Sequence, residues 1–141
     1  MDTFKIYLAG SMSNVSFEES NIWRMVAKEW LENCECRYHV YITNPNDYYN
    51  FLEVKHTTGK EIIRFDLNKV RNSDLVLANL NHDSTGTAME IQHAFDRGIP
   101  IIGYVDDEFN VQIHPWLEFE CDRVFVGLQA ALNYIENYYL N

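Results

Sequence analysis

The chain has 141 residues, 47% of them hydrophobic, with 11 Lys and Arg against 21 Asp and Glu for a formal net charge of −10. That apolar share is enough for one packed core and argues against global disorder. The acid excess disfavours partners that need clustered Lys and Arg, namely nucleic-acid polymers and anionic membrane surfaces, and leaves a neutral or lightly charged small molecule as the expected ligand.

"FKIYLAG" (4–10) is a short apolar run ended by glycine and reads as a buried strand. "SFEE" supplies a capping box at Ser16 and Glu19, and the helix it opens is expected to bury a stripe of Ile22, Met25, Val26, Trp30 and Leu31. Cys34 and Cys36 follow in a C-E-C spacing that is not a usual zinc pattern; with Cys121 they make an odd set of plain thiols, expected in a reducing cytoplasm. "YHVYITNP" (38–45) alternates and stops at Asn-Pro, a second strand and a turn. The tyrosine-rich stretch 46–56 has no clear pattern. A helix is then expected from about Thr57 to Arg71, with Ile62, Ile63, Phe65 and Val70 as its apolar members.

"SDLVLANL" (73–80) is nearly continuous in apolar residues, as a central parallel strand covered on both faces would be. "DSTGTAMEIQHAFDRG" (83–98) is a turn and a helix closed by Gly98, a natural residue just beyond a helix C-terminus. "IPIIGYV" (99–105) is the fourth strand. A loop with "DDE" and "HPW" leads to "RVFVG" (123–127), the fifth, and a last helix covers about 128–139. No run approaches the roughly 20 apolar residues that span a bilayer, and no signal peptide opens the chain, so a soluble cytoplasmic protein is expected. Repeats and Pro/Gly linkers are absent, which predicts a single domain over 1–141.

Alternating strands and helices predict an α/β fold: a five-stranded parallel sheet in a flavodoxin-like or Rossmann-like three-layer sandwich. Ligands in such sheets bind beyond the carboxyl ends of the strands, near the switch in strand order. Three loops would meet there, at 10–14, 43–49 and 79–87, with Glu90 in the helix after the third. Thr87 and Glu90 have the spacing of a capping box, which is one reading of Glu90. The other is a reactive carboxylate, which a helix N-terminus would favour in its ionised, nucleophilic form. Tyr7 in the first strand is either a packing residue or a phenol that orients a carboxylate. Asp66 is either surface charge or part of the same site. Ser11 and Ser13 flank Met12 after Gly10 and could donate to a sugar or a phosphate. The five His residues show no metal-site spacing, and G-x-G-x-x-G, G-x-x-x-x-G-K-[ST] and G-x-S-x-G are all missing.

"IYLAGSMS", "DLNKVRNSDLVLANL" and "GTAMEIQHAFDRGIPIIGY" together resemble the nucleoside 2-deoxyribosyltransferase family, in order and spacing, from Lys5 to about Val105. Gln92 stands where that family often has glycine, and the C-terminal third is similar only in pattern. The resemblance implies a five-stranded parallel α/β sheet. It also implies that Glu90 attacks the anomeric carbon of a 2′-deoxynucleoside, that Tyr7 orients Glu90, and that Asp66 contacts the base and assists its protonation. Gly10, Ser11 and Met12 of the first loop and Ser84, Gly86 and Thr87 of the third would bind substrate. Transfer would be ping-pong, through a covalent deoxyribosyl-glutamate, and would need no metal or organic cofactor.

Related hydrolases cleave 2′-deoxynucleoside 5′-monophosphates and typically hold the phosphate with a basic residue after the first strand. Here no Lys or Arg lies between Ile6 and Trp23. Together with the acidic balance, this favours an uncharged nucleoside, although serine hydroxyls and main-chain amides can also cradle phosphate. A third alternative, a nucleotide-binding sensor domain with a vestigial site, fits poorly with the joint presence of Tyr7, Asp66 and Glu90. The resemblance and the heavy load of nine Tyr, eight Phe and three Trp suggest a homo-oligomer with shared active sites. Asn110 and His114 in "NVQIHPW" are candidates for the contribution of a neighbouring subunit.

Overall fold

The computed structural model describes residues 1–48 and 58–141. Its strands are β1 (Thr3–Ala9), β2 (His39–Thr43), β3 (Leu75–Asn79), β4 (Ile101–Val105) and β5 (Arg123–Val126). They form one sheet in the order β2-β1-β3-β4-β5, and every neighbouring pair is parallel. Among the described residues five helices surround it: α1 (Phe17–Asn33), α2 (Gly59–Arg71), α3 (Thr85–Asp96), α4 (Pro115–Glu120) and α5 (Leu128–Tyr138). Short 3-10 turns lie at Pro45–Asp47 and Asp107–Phe109. Among the described residues no helix is long and apolar enough to cross a membrane.

The two-residue period of each strand sorts the core into two layers. Ile6 and Leu8 of β1 pack with Leu75, Leu77 and Ile102 against Ala27 and Leu31 of α1 and Leu132 and Ile135 of α5. Tyr7 and Ala9 point the other way, with Val76, Ala78 and Ile101, against Val70 of α2 and Ile91 and Ala94 of α3. β3 is buried from Leu75 to Ala78, as its continuous apolar run requires of a strand covered on both faces. The sheet order turns back between β1 and β3, so the loops leaving their carboxyl ends diverge and open a crevice there. Tyr7 lies one turn of the pleat from that edge, on the α2/α3 side.

Several local expectations need correction. The buried face of α1 is Ser20, Trp23, Arg24, Ala27 and Leu31, whereas Ile22, Met25 and Val26 are about half exposed. The helix has turned its one central cation inward, because the main chain at the end of β1 offers it acceptors. α3 is capped by Ser84, whose Oγ accepts from the Thr87 amide at 3.2 Å, so Thr87 and Glu90 do not form a capping box. The α2 cap is Thr58, which accepts from the Glu61 amide. Residues 49–56 of the patternless stretch, and Thr57, the expected start of the next helix, lie outside the described residues. Pro115–Glu120, expected as loop, forms a helical turn and a half. Gly98 sits just past α3 with φ +69, the left-handed conformation expected of that position. All three cysteines are free thiols.

Candidate active site

A cavity of about 410 Å³ opens at the carboxyl ends of β1 and β3. β1 contributes Tyr7, and the loop after it Gly10 and Met12 to Asn14; Pro45 follows β2. Asp83 to Thr87 form the opposite wall with Met89 and Glu90 of α3, and Ile63, Asp66 and Leu67 of α2 close the side. The two walls are tied at the rim, where the Asn14 side-chain amide donates to the Asp83 carbonyl at 2.9 Å. Ile63, Leu67, Pro45 and the two methionines give the cavity apolar surfaces suited to a flat ring, beside a polar end built from carboxylates and hydroxyls.

Glu90 is in the second turn of α3, one turn later than a Thr87 cap would place it, and its carboxyl meets Tyr7 of the sheet rather than the helix start. There the Tyr7 hydroxyl donates a hydrogen bond to its Oε2. The contact follows from two periodicities: Tyr7 is on the α3 face of β1, and Glu90 is one residue before the buried Ile91 on the face of α3 that meets the sheet. Burial is the dominant influence on Glu90 and raises its pKa to about 7; Asp66 pushes in the same direction, while the Tyr7 hydrogen bond and the Arg24 guanidinium oppose it. A dipole-stabilised, fully ionised carboxylate is therefore not what the site holds at neutral pH: Glu90 is poised between its two forms. Tyr7 is held well above its ordinary pKa by burial, then by the nearby Glu90 and Asp66, and remains a neutral donor.

Tyr7, Asp66, Glu90, Gly10, Met12, Ser84, Gly86 and Thr87 all line this one cavity. Ser84 also caps α3 and accepts from the Thr87 hydroxyl at 3.0 Å, which fixes both side chains on the cavity wall. Ser11 turns away. It is buried, its hydroxyl lacks a partner among the described residues, and it lines a small cleft with Ser20, Trp23 and Asn79. Asn110, in the left-handed conformation at φ 46, and His114, whose Nδ1 accepts from the Trp116 amide at 3.2 Å, lie outside this cavity. Sequence reasoning missed Arg24. Its guanidinium lines the cavity from beneath, although the residue belongs to the helix on the other face of the sheet. Among the described residues no group of three or more His, Cys, Asp or Glu could hold a metal ion.

The arrangement is a titratable carboxyl at the bottom of a half-apolar cavity, oriented by a phenol and faced by a second carboxyl. Chemically this is the equipment for nucleophilic attack on an acetal-like carbon with a proton source nearby. Comparison with solved structures agrees with the architecture. A 2-deoxyribosyltransferase from Bacillus psychrosaccharolyticus aligns with TM-score 0.67 and 20% identity over 92% of this chain and 91% of its own. A 2-deoxyribosyltransferase from Leishmania mexicana gives 0.66 and 19% over 97% and 99%. A CMP N-glycosidase from Clostridium botulinum gives 0.61 and 16% over 95% and 98%. At these identities the likeness is one of fold. No match is found among curated protein sequences. The sequence profile of nucleoside 2-deoxyribosyltransferase, however, matches residues 6–131, a span that takes in Tyr7, Asp66, Glu90 and both cavity walls. By that match, the chain belongs to the nucleoside 2-deoxyribosyltransferase family.

Proposed function

We propose that the protein transfers 2-deoxyribose between nucleobases by a ping-pong reaction through a covalent deoxyribosyl ester on Glu90. The observation that carries this reading is the Tyr7–Glu90 hydrogen bond inside a cavity that Asp66 also lines. In the first half-reaction a Glu90 carboxylate oxygen forms a bond to C1′ as the C1′–N bond breaks. The electron pair of that bond leaves with the base, which takes a proton from the Asp66 side. In the second half-reaction the nitrogen of an incoming base attacks C1′ and gives up its N–H proton to the Asp66 side, replacing the one the first base took, while the ester bond breaks and Glu90 recovers its carboxylate. The developing oxocarbenium charge lies beside Glu90, as in retaining glycosidases.

Hydrolysis of a deoxynucleoside 5′-monophosphate is the second reading, favoured by one observation: the amino end of α3, Ser84 to Thr87, lines the cavity and could accept an anion. Charge speaks against it. Asp66, Asp83 and Glu90 line the described cavity with a single cation, Arg24, whose three hydrogen bonds are all made to main-chain carbonyls. An uncharged nucleoside is the better match. We also propose a homo-oligomer with shared sites. Supporting it, the exposed rings of Phe95 and Phe119 meet at a tilt with centroids 6.1 Å apart, Trp116 is exposed, and α1 exposes Ile22, Met25 and Val26.

A substrate panel tests the reading. Deoxynucleosides and their 5′-monophosphates are incubated with and without a second base, and the protein is examined by mass spectrometry. Base exchange and a deoxyribosyl adduct on Glu90 are expected. Free sugar phosphate from monophosphates alone would establish the hydrolase instead, and no base release from any substrate would support a sensor domain with a vestigial site.

A further inference from the structure

Arg24 is the largest fully buried side chain described. A buried cation is costly unless partners offset its desolvation. Here Nε donates to the Leu8 carbonyl at 3.3 Å, Nη1 to Ser20 at 2.6 Å and Nη2 to Gly10 at 2.9 Å, while the Trp23 ring lies 4.7 Å from Cζ. Carbonyl dipoles and a ring face solvate a guanidinium, but none carries a full negative charge. The positive charge therefore survives into the cavity above it, where Arg24 is the one cationic side chain among the described lining residues. Position 10 keeps this path open: a Cβ there would lie 2.8 Å from the Trp23 ring and 3.4 Å from Nη2. The guanidinium fork supplies all three donors, which a side-chain amide with two N–H groups could not, and it brings its fixed charge to the cavity floor.

The groups facing Glu90 come from four directions. Tyr7 of β1 donates to it, while Asp66 of α2, Arg24 of α1 and Asp83 just ahead of α3 line the same cavity. Burial and Asp66 both work against the anion, and Tyr7 gives it one hydrogen bond. We propose that Arg24 is a positioning residue for this site: its buried charge, held under Gly10 by three carbonyls, stabilises Glu90 as a carboxylate and so sustains the nucleophile. The inference rests on Glu90 being the reacting group. It assigns a charge in the α1/α5 layer to chemistry carried out in the α2/α3 layer, across the carboxyl edge of β1.

The experiment follows the Glu90 carboxyl itself, by NMR of protein labelled at the glutamate Cδ, with the resonance assigned by its loss in Glu90→Gln. In Arg24→Met and Arg24→Gln the Glu90 midpoint is expected to rise, by less than loss of the Tyr7 hydroxyl would raise it, with a roughly twofold or greater loss of carboxylate at a given pH. Arg24→Lys is expected to stay near wild type. An unchanged midpoint in either neutral variant, with folding verified by circular dichroism, overturns the proposal. A wild-type arm needs no Arg24 variant: the Arg24 Nε–H resonance should move with the Glu90 midpoint and be flat in Glu90→Gln. If it is flat in wild type, the proposal fails. Turnover separates the two readings, because a wild type that releases no base would remove the glycosyl-transfer assignment while leaving the Arg24–Glu90 linkage to be read from the titration.

Discussion

Replacing Tyr7 with Phe removes one oxygen and leaves the ring packed on the α2/α3 side of β1. The lost group donates to Glu90 in a site where burial has raised that carboxyl to about 7. A hydrogen bond to a buried charge is worth ~1.5–3 kcal/mol, or roughly one to two pH units at about 1.4 kcal/mol per unit. The bond favours the anion, so its removal raises the Glu90 midpoint further, to roughly 8–9. At pH 7 the ionised fraction then falls from about one half to between roughly one in ten and one in a hundred, a loss of about five- to fiftyfold in the attacking species. Single-turnover release of base from a 2′-deoxynucleoside, followed from pH 5 to pH 10, reads this directly. The acid limb should move up by one to two units, with most of the rate recovered at the alkaline end. A loss by the same factor at every pH would show that Tyr7 sets geometry alone, and an unmoved limb would refute the argument.

Three further outcomes follow from the same geometry. Glu90→Gln should abolish base release yet stabilise the fold at pH 8. The Glu90 pKa is raised on folding, so the stability present below about 4.5 is lost as pH rises through about 7, and the amide escapes that loss. Urea unfolding should show a gain of ~1–3 kcal/mol at pH 8 that vanishes near pH 4. Asp66→Asn removes a charge that pushes the Glu90 pKa up, so the carboxyl titration should move down even as base departure slows; an upward move would contradict the site's electrostatics. Gly98→Ala places a Cβ at φ +69 and should cost ~1–2 kcal/mol in urea unfolding, with the Glu90 titration unchanged.

The strands were legible because their apolar runs were long and bounded by Gly, Pro and Asn. Spacing leaves Tyr7 and Glu90 open, each with a packing or capping alternative, and it is the resemblance of the motifs around them that singles them out. Arg24 was not legible. The stretch between Ile6 and Trp23 holds no Lys or Arg, and the first cation after it, Arg24, belongs to the helix rather than to the loop. Its partners are the carbonyls of Leu8, Gly10 and Ser20, which any residue supplies and which therefore leave no mark in the sequence. The same fact misdirected the reading of α1, since apolarity selected Ile22, Met25 and Val26 while the buried face is organised around the cation. At α3, S-x-x-T and T-x-x-E overlap, and only the backbone shows that Ser84 takes the cap.

Tyr7 is held by ladders on both sides, opposite Thr43 of β2 and Val76 of β3. A slip of one residue would put Leu8 in the cavity and the phenol under α1, and it would break two ladders at once. The loops that shape the cavity, after β1 and β3, carry no such restraint on their length. Orientation of the Glu90 carboxyl and the shape of the cavity are thus inherited through different parts of the chain. Loop exchange is the route by which this scaffold could be given new substrates, in the laboratory or by descent, without re-solving the placement of Glu90.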